Sequence, residues 1–349
     1  MAAVLHPAPA LAPERKAFYD KIDTGSVAPL WEVLHNLVTK EPRTPCVPVL
    51  WKWADMRPWL MESGQLISAE EAERRVLVLE NPGLRGKASI THSLYAGLQL
   101  ILPGEVAAAH RHTQSALRFV IEGNGAYTSV DGERVFMSPG DFIITPSWTW
   151  HDHGNPGNEP VIWLDGLDVA LVELLDAQFM ERPDEKSQAT KRTAGESFAR
   201  FGTNMAPLEY QAKSKTSPLF WYPYDRSRQA LEELSKVDDP HPSFGWKLQY
   251  VNPTTGGFAM PTIGTFLQLL PKGFKGKDYR STDATAFAVK EGHGTFKCGE
   301  KEFKFGPKDV FMVPSWKKYQ LHADEECVIF SYSDRPVQKA LDLWREEQS

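Results

Sequence analysis

The chain has 349 residues, which is longer than one ordinary domain, so its length favours two domains with separate hydrophobic cores. A formal charge of -6, from 45 acidic and 39 basic residues without long runs of either sign, argues against a nucleic-acid partner. Three unpatterned cysteines, Cys46, Cys298 and Cys327, argue against a disulfide framework or a cysteine metal site and favour a reducing compartment.

Residues 1–75 are predicted to form a helical segment, followed by a stretch rich in Trp and Pro, that packs on the domains after it. The start has neither the basic region nor the apolar core of a signal peptide, and no later stretch approaches the length of a membrane span. We therefore expect a soluble, cytoplasmic protein with no membrane partner. The helical pattern ends near Lys40, has Pro29 near a helix start, and shows one apolar stripe: Leu30, Val33, Leu34, Leu37 and Val38.

Residues 76–180 are predicted to form an antiparallel barrel. Short alternating or apolar runs, such as residues 118–122 and 141–145, are separated there by Gly, Pro and Asn-Gly, which is the pattern of strands and tight turns. Residues 181–218 contain the polar run EKSQATKRTAGES and are expected to be an exposed linker. A second barrel is expected at residues 219–349, ending in a helix.

The second barrel repeats the sequence pattern of the first. LQLILPGEV at 98–106 matches LQLLPKGFK at 267–275, VIEGNGAY at 120–127 matches VKEGHGTF at 289–296, and ITPSW at 144–148 matches MVPSW at 312–316. Three anchors in the same order and at nearly constant offset indicate an internal duplication. The sequence therefore predicts a mainly β protein built from two similar barrels.

Three histidines of the first barrel form a candidate metal site. His110 and His112 are two residues apart on a predicted strand, so both point into the barrel while Arg111 points away. His151, from a neighbouring strand, completes three neutral nitrogen ligands that leave positions open for substrate and oxygen on a divalent metal. Three histidines also suit zinc, nickel or copper, so the ligand set alone does not identify the metal.

The spacing of these histidines resembles the two paired motifs of the cupin superfamily. A glycine lies on either side of the pair His110 and His112, and His151 stands in the run PSWTWHDHGN. This resemblance implies a bicupin, with two double-stranded β-helix (jelly-roll) barrels and flanking helices. Many cupins have a fourth, glutamate ligand where this chain has Ala116. Its loss disfavours an oxalate-degrading manganese centre and favours an iron that binds a bidentate substrate and dioxygen.

The second barrel is predicted to bind no metal. Alignment of the repeats places Tyr279, Ser281 and Tyr319 at the positions of the three histidine ligands. His322 lies on the opposite strand face from Tyr319, and His293 lies in a predicted turn, so neither rebuilds a site.

The wider sequence resembles the gentisate 1,2-dioxygenase family and its salicylate and 1-hydroxy-2-naphthoate relatives over nearly the whole chain, most clearly in AGLQLILPGEVAAAHRHTQSALRFVIEG. The resemblance implies a ring-cleaving dioxygenase of the extradiol type with one Fe(II) per chain, chelated by the carboxylate and adjacent hydroxyl of a small aromatic acid. Gentisate and O2 would give maleylpyruvate, in the catabolism of aromatic compounds. Salicylate or 1-hydroxy-2-naphthoate is the alternative substrate, and a homotetramer is the implied assembly.

Arg118 and His153 are the candidate catalytic residues beside the metal. Arg118 follows the first histidine pair with even spacing, and a buried guanidinium needs a partner, either a bound carboxylate or a structural salt bridge. His153 shares the strand face of His151, and the resemblance implies that it bonds the substrate oxygens or the oxygen intermediate. The resemblance also places Asp165 near the distal hydroxyl of the substrate. It adds further substrate-binding residues: Arg74 (or its neighbour Arg75), Tyr95, Gly97 and Gln99.

Two other classes of function remain open. A bicupin can be a non-catalytic ligand-binding or storage protein, which would be purified without bound metal. A metal-dependent isomerase could use similar ligands but would consume no oxygen. Oxygen uptake with candidate aromatic acids distinguishes a dioxygenase from both.

Overall fold

The computed structural model describes residues 11–348 of the chain. The chain divides into two units, the first ending at Arg43 and the second beginning at Thr44. What the sequence predicts for residues 1–10 and for Ser349 lies outside the described part. Within that part, no helix is both long enough and apolar enough to cross a membrane.

The first unit contains two helices, as the pattern before Lys40 predicts: α1 (Pro13–Asp23) and α2 (Leu30–Leu37). Pro29 directly precedes α2, where its missing N–H costs nothing because the first turn of a helix has no internal partners. A hydrogen bond of 2.8 Å from the Trp31 indole to the Tyr19 hydroxyl joins the two helices.

The second unit is mainly β. Its first half contains, in chain order, β1 (Val49–Trp51), α3 (Trp53–Leu66), α4 (Ala69–Ala72), β2 (Val76–Val78), a short 3₁₀ helix (Pro82–Leu84), β3 (Tyr95–Ile101), β4 (Val106–His112), β5 (Ala116–Glu122), β6 (Tyr127–Val130), β7 (Glu133–Phe136), β8 (Phe142–Thr145), β9 (His151–Gly154), β10 (Val161–Leu167), α5 (Val169–Leu174), β11 (Met180–Glu181) and α6 (Glu196–Phe201). Its second half contains β12 (Trp221–Tyr222), α7 (Tyr224–Val237), β13 (Trp246–Gln249), β14 (Gly264–Leu270), β15 (Tyr279–Ser281), β16 (Thr285–Glu291), β17 (Gly294–Cys298), β18 (Lys301–Phe305), β19 (Val310–Val313), β20 (Tyr319–Ala323), β21 (Cys327–Ser333), α8 (Arg335–Ala340) and β22 (Glu346–Gln348).

Four antiparallel sheets form the two barrels that the duplication predicts. The first barrel consists of a six-stranded sheet in the order β12-β8-β5-β10-β3-β2 and a five-stranded sheet in the order β11-β4-β9-β6-β7. The second consists of a six-stranded sheet in the order β1-β19-β16-β21-β14-β13 and a five-stranded sheet in the order β18-β17-β20-β15-β22. Each barrel also includes an edge strand that comes from the other half of the chain. β1 pairs with β19 of the second barrel, and β12 pairs with β8 of the first.

The two six-stranded sheets face each other across a shared hydrophobic core. Successive residues of a strand point to opposite faces, so β5 directs Phe119 to this shared core and Arg118 and Val120 into the first barrel. Phe119 stacks on Phe330 of β21 with ring centroids 4.3 Å apart, and both rings are fully buried. The interior of the second barrel is a separate cluster rich in phenylalanine. The six-stranded sheets therefore fix each barrel against the other, and the five-stranded sheets lie on the outer sides.

The duplication extends to details of backbone geometry. Trp148 and Trp316 occupy equivalent loops, and each has φ of +59°, in the left-handed region that glycine usually adopts. The N–H of each donates a hydrogen bond of 2.7 Å to a strand residue, His112 in one barrel and Ser281 in the other. Each indole also lies 4.5 Å from the guanidinium of an arginine on that same strand. These contacts hold the two tryptophans in a conformation that their side chains disfavour.

Two regions differ from the sequence-based expectation. The chain was expected to end in a helix, but α8 is followed by β22, which pairs with β15. Residues 181–218, expected to be an exposed linker, include buried anchors: the Ser197 hydroxyl donates a hydrogen bond of 2.8 Å to the buried carboxylate of Glu133. In both regions the structure depends on contacts with a strand that is distant in the chain. Such contacts leave no periodic pattern in the local sequence.

Phe330→Ala tests the importance of the shared core. Loss of a fully buried aromatic ring is expected to lower the free energy of unfolding by about 3–5 kcal/mol. Chemical denaturation followed by fluorescence measures this change. Phe136→Ala is the matched control, because Phe136 is 52% exposed and its loss should cost less than about 1 kcal/mol. Equal destabilisation by the two substitutions would contradict the proposed role of the shared core.

Candidate metal centre and substrate pocket

The three predicted metal ligands lie on two adjacent strands of the five-stranded sheet in the first barrel. β4 carries His110 and His112, and His151 is the first residue of β9. The antiparallel register places His110 directly opposite His151. One ring nitrogen of each histidine lies within 4.8 Å of the others, so the structure brings together the three residues that the sequence predicts.

Main-chain carbonyls orient two of these rings for metal binding. Nδ1 of His112 and Nδ1 of His151 each lie 2.9 Å from a carbonyl oxygen two residues away in the chain. Because a carbonyl only accepts hydrogen bonds, Nδ1 carries the proton and Nε2 keeps its lone pair. Nε2 of His151 is buried and has no hydrogen-bond partner. A buried nitrogen left without a partner is what a metal ligand requires, so these residues fit a divalent metal ion.

The electrostatic surroundings keep all three imidazoles neutral. Burial lowers the pKa of His110 to about 3 and that of His112 to about 4, and it holds the pKa of His151 well below its usual value. The positive charges of Arg74 and Arg118 lower these values further. Neutral imidazole is the form that binds a metal, so Nε2 of His112 and Nε2 of His151 have no proton to lose at neutral pH.

Arg118 and Asp165 form a loose ion pair inside the barrel. They lie opposite each other on β5 and β10, and their side chains are 5% and 7% exposed. Nη1 of Arg118 donates a hydrogen bond of 2.6 Å to the Thr145 hydroxyl. Its Nε lies 3.5 Å from Oδ1 of Asp165 and has no hydrogen-bond partner. Burial raises the pKa of Asp165 to about 6 although Arg118 acts to lower it. The ion pair with Asp165 thus leaves the Nε–H of Arg118 without a hydrogen bond. Both predicted partners of this guanidinium, a structural salt bridge and a bound carboxylate, therefore remain open.

Three more predicted pocket residues lie on β3, beside Asp165. Gly97 is directly opposite Asp165, and Gln99, two residues further along the strand, is buried on the same face. A Cβ added to Gly97 would lie 2.4 Å from a methyl carbon of Val76 and 2.5 Å from the Tyr95 hydroxyl. The absence of a side chain at Gly97 therefore makes room for Tyr95, whose hydroxyl reaches over the same face.

His153 lies next to the histidine cluster without being part of it. Its ring centroid is 5.9 Å from that of His151 and 5.4 Å from that of Trp163. Nδ1 lies 3.0 Å from the Thr128 hydroxyl, which fixes the orientation of the ring. Burial holds the pKa of His153 well below its usual value, so this ring is also neutral.

A cavity of about 680 Å³ opens beside His110 and His112 and is lined by Arg74. Nη2 of Arg74 lies 2.6 Å from Nδ1 of His110 and donates a hydrogen bond of 2.5 Å to the Ala108 carbonyl. The neighbouring Arg75 instead forms a buried pair with Glu105, with two contacts of 2.8 Å. Of the two adjacent arginines, Arg74 is therefore the one that faces the pocket.

The outer wall of this cavity includes four charged residues that the sequence analysis does not select. Glu70 and Glu73, in and after α4, face Lys186 and Arg182 from the segment after β11. Lys186 lies 2.9 Å from Glu70, and Arg182 lies 2.5 Å from Glu73. All four are exposed charged residues, and the two acids are far from the two basic residues in the chain, so no local sequence pattern predicts that they line one site.

The second barrel lacks this arrangement. Tyr279 and Tyr319 are paired where the first barrel pairs His110 with His151. His293 is exposed and bonds Glu325, away from the barrel interior. Among residues 11–348, only the cluster in the first barrel groups three side chains of metal-ligand type in this way.

An antiparallel barrel with three neutral histidines on adjacent strands defines a cupin whose histidine group could hold a metal ion. The cupin domain model matches residues 97–167, which contain all three histidines. The predicted double-barrel cupin fold is therefore confirmed.

Relatives of known activity match along the whole chain. Gentisate 1,2-dioxygenase 1 of Aquipseudomonas alcaligenes is 54% identical, and the match covers 98% of this chain and 98% of that one. The 1-hydroxy-2-naphthoate 1,2-dioxygenase of Nocardioides sp. (strain KP7) is 36% identical, over 88% of this chain and 80% of that one. The crystal structure of salicylate 1,2-dioxygenase from Pseudoaminobacter salicylatoxidans with gentisate has a TM-score of 0.92 and 34% identity, over 98% of this chain and 96% of that one. The chain belongs to the gentisate 1,2-dioxygenase family of ring-cleaving dioxygenases.

The Asp165 carboxyl is expected to titrate near pH 6, because burial raises its pKa to about 6. Between about pH 4 and pH 6, Asp165 of the folded protein therefore keeps a proton that the same residue of the unfolded chain has lost. The contribution of this group to the free energy of unfolding therefore falls as the pH rises through that window. Infrared difference spectra measure the titration directly, and the carboxyl band should be absent in Asp165→Asn. A band already lost below pH 5 would contradict the raised pKa.

Proposed function

We propose that this protein cleaves the ring of gentisate with O2 to give maleylpyruvate, using one Fe(II) per chain held by His110, His112 and His151. The observation that carries the proposal is the group of three neutral imidazoles, one with a buried and unpartnered Nε2, facing a buried arginine with a free N–H. The first feature suits a metal, and the second suits the carboxylate of an aromatic acid. The 54% identity with a gentisate 1,2-dioxygenase supports the choice of substrate.

Iron(II) bound by three nitrogen ligands would keep positions open for a chelating substrate and for O2, and would supply the electron transfer between them. The residue where many cupins have a ligand glutamate is Ala116, which is buried and cannot coordinate. The centre thus keeps a higher net positive charge than a site with a carboxylate ligand. That charge favours the anionic oxygens of the substrate.

Arg118 is proposed to bind the carboxylate of the substrate. Its guanidinium is buried, is positioned by Thr145, and has a free Nε. A buried cation gains more from an anion than an exposed one, because little water competes for it. Arg74, with its pKa lowered by burial to about 10, is a second cation for the same anion at the mouth of the site.

His153 and Asp165 are proposed to act on the hydroxyl groups and on oxygen. His153 is neutral and held by Thr128, so it can donate or accept one hydrogen bond at Nε2 without a change of charge. Asp165, with a pKa of about 6, can exchange a proton near neutral pH and is proposed to bond the distal hydroxyl of gentisate. Tyr95, Gly97 and Gln99 are proposed to shape the pocket around the ring.

Salicylate and 1-hydroxy-2-naphthoate are the second candidate substrates. The structural match to a salicylate 1,2-dioxygenase and the identity with a 1-hydroxy-2-naphthoate 1,2-dioxygenase favour them over other aromatic acids. Both compounds carry the adjacent carboxylate and hydroxyl that chelate a metal. Neither has the distal hydroxyl of gentisate, so Asp165 would have no substrate group to bond in their complexes and would keep only its contacts with Trp163 and Arg118.

We also propose that the protein is a cytoplasmic homotetramer with the domain division 1–75, 76–180, 181–218 and 219–349. Three buried cysteines without disulfides suit a reducing compartment. Exposed apolar side chains in and after α5 suit a contact between subunits: Leu174, Leu175, Phe179 and Met180. Light scattering of the purified protein measures the assembly.

Oxygen uptake by the Fe(II)-loaded protein tests the proposed function. We expect uptake of one O2 per gentisate and incorporation of both atoms of labelled oxygen into maleylpyruvate, detected by mass spectrometry. Salicylate and 1-hydroxy-2-naphthoate, measured side by side, should react more slowly because they offer Asp165 no hydroxyl to bond. Absence of oxygen uptake with all three acids would favour an isomerase or a binding protein instead.

His151→Ala is expected to lose most of the bound iron and all turnover, because two imidazoles cannot hold Fe(II) against water. Tyr319→Phe is the matched control, since Tyr319 occupies the equivalent position in the second barrel. It should keep close to one iron per chain, measured by elemental analysis. If the wild-type protein bound close to two irons per chain and Tyr319→Phe bound close to one, a second iron would lie in the second barrel.

Arg118→Ala should retain iron but lose charge-assisted hydrogen bonds to the substrate, each worth about 1.5–3 kcal/mol. The value of kcat/KM should therefore fall at least about tenfold. Arg118→Lys keeps the charge without the planar donor geometry and should lose less. Wild-type kinetics in iron-loaded Arg118→Ala would show that the carboxylate is bound elsewhere.

A further inference from the structure

A bulge in β4 lies directly before the metal ligand His110. β4 pairs with β9 with a shift of register between Ala107 and His110. Two β4 residues, Ala108 and Ala109, therefore lie opposite a single β9 residue, Asp152. A β-bulge bends its strand and redirects the side chains that follow. The direction in which His110 points thus depends on how this bulge is held.

Groups outside the strand pair hold the bulge at both of its residues. The N–H of Ala109 donates a hydrogen bond of 2.8 Å to the carbonyl of Lys186. The carbonyl of Ala108 accepts the hydrogen bond from Arg74. A bulge leaves main-chain groups without ladder partners, so these two bonds replace the ones that regular pairing would supply.

Asp152 fixes the segment that provides the Lys186 carbonyl. Its Oδ2 accepts hydrogen bonds from the main-chain N–H of Gln188, at 3.1 Å, and from the side-chain Nε2 of Gln188, at 3.0 Å. The Gln188 amide group also donates to the Ser129 carbonyl and accepts from the Gly132 N–H. Asp152 is completely buried, so this carboxylate ties a segment from outside the barrel to the strand opposite the bulge.

The second barrel has the same shift of register but holds it in another way. Lys275 pairs with His322, and Tyr279, four residues later, pairs with Tyr319, only three residues before His322. One strand therefore has one residue more than its partner between these two pairs. Gln320, at the position that corresponds to Asp152, donates a hydrogen bond of 2.8 Å to Asp278 inside the bulge itself. The bulge therefore belongs to the duplicated fold. In the barrel with the three histidines, a buried acid connects it to a separate segment of the chain.

We propose that Asp152 is a positioning residue for the metal centre. Asp152 points to the opposite strand face from its neighbours His151 and His153, so it does not reach the metal itself. It acts through Gln188 and the Lys186 carbonyl, which together fix the bulge that sets the direction of the first histidine on β4. The proposal rests on the metal site of the proposed function.

Metal affinity, measured by competition with a chelator, tests this role in the full-length protein. Asp152→Ala should raise the apparent Kd for Fe(II) and for Co(II) by about 10- to 100-fold, the range found when groups that orient a metal ligand are lost. The visible absorption bands of bound Co(II), which report ligand geometry, should shift. Asp152→Asn keeps an oxygen acceptor for Gln188 and should recover most of the affinity.

Asp131→Asn is the matched control. Asp131 lies 2.8 Å from Arg192 in an exposed ion pair between the same segment and the same barrel, away from the bulge. Its loss should leave both the Kd and the Co(II) spectrum unchanged. If Asp152→Ala does not fold, Gln188→Ala removes the side-chain bonds to Asp152, Ser129 and Gly132 but keeps the main-chain bond to Asp152, and it should raise the Kd by a smaller factor.

Two results would overturn the proposal. One is a folded Asp152→Ala, or failing that a folded Gln188→Ala, with wild-type Kd and Co(II) spectrum, even if its melting temperature is lower. The other is an Asp131→Asn that weakens metal binding as much as Asp152→Ala does. A wild-type protein that binds neither metal would overturn the metal site itself, and with it the proposed function.

Discussion

The antiparallel register between β4 and β9 is the constraint on which the metal centre depends. It places His110 opposite His151, and the two-residue period of a strand then brings His112 to the same face. A slip of one residue would turn one strand's histidines away from the other's. The five-stranded sheet therefore needs a fixed register. That register is supported from outside by the segment after β11 and by the loop in which Trp148 adopts its left-handed conformation.

The interior of the first barrel combines neutral metal ligands with buried cations. Burial keeps the histidines neutral, and Arg74 and Arg118 add positive charge that Asp165 balances only through a contact of 3.5 Å. Unpaired buried charge is unfavourable in a folded protein. A divalent metal would add to the positive charge, and an anionic substrate would compensate it. The site is thus electrostatically suited to an aromatic acid that brings both a carboxylate and an ionisable hydroxyl.

The second barrel keeps the scaffold of the first and lacks its chemistry. Tyrosines replace two ligands at the same strand pairing, and phenylalanines fill the interior. Its six-stranded sheet supplies half of the shared core, including the ring of Phe330 against Phe119. The exchanged edge strands β1 and β12 join each barrel to the other half of the chain. The second barrel therefore contributes to the site by supporting the back of the sheet that carries Arg118 and Asp165.

The sequence by itself determined the features that arise from local spacing: the two barrels, the repeat, the pair His110 and His112 on one strand face, and the loss of ligands in the second copy. These follow from the strand period and from motifs only a few residues long. Only the tertiary structure decided that Arg74 rather than Arg75 faces the pocket, that Arg118 is opposite Asp165, and that the described part of the chain ends in a strand. It also placed α4 and the segment after β11 around the cavity, and Asp152 opposite the bulge. Each of these depends on register or on contacts between distant segments, and polar residues at such contacts have the same local sequence pattern as an exposed loop.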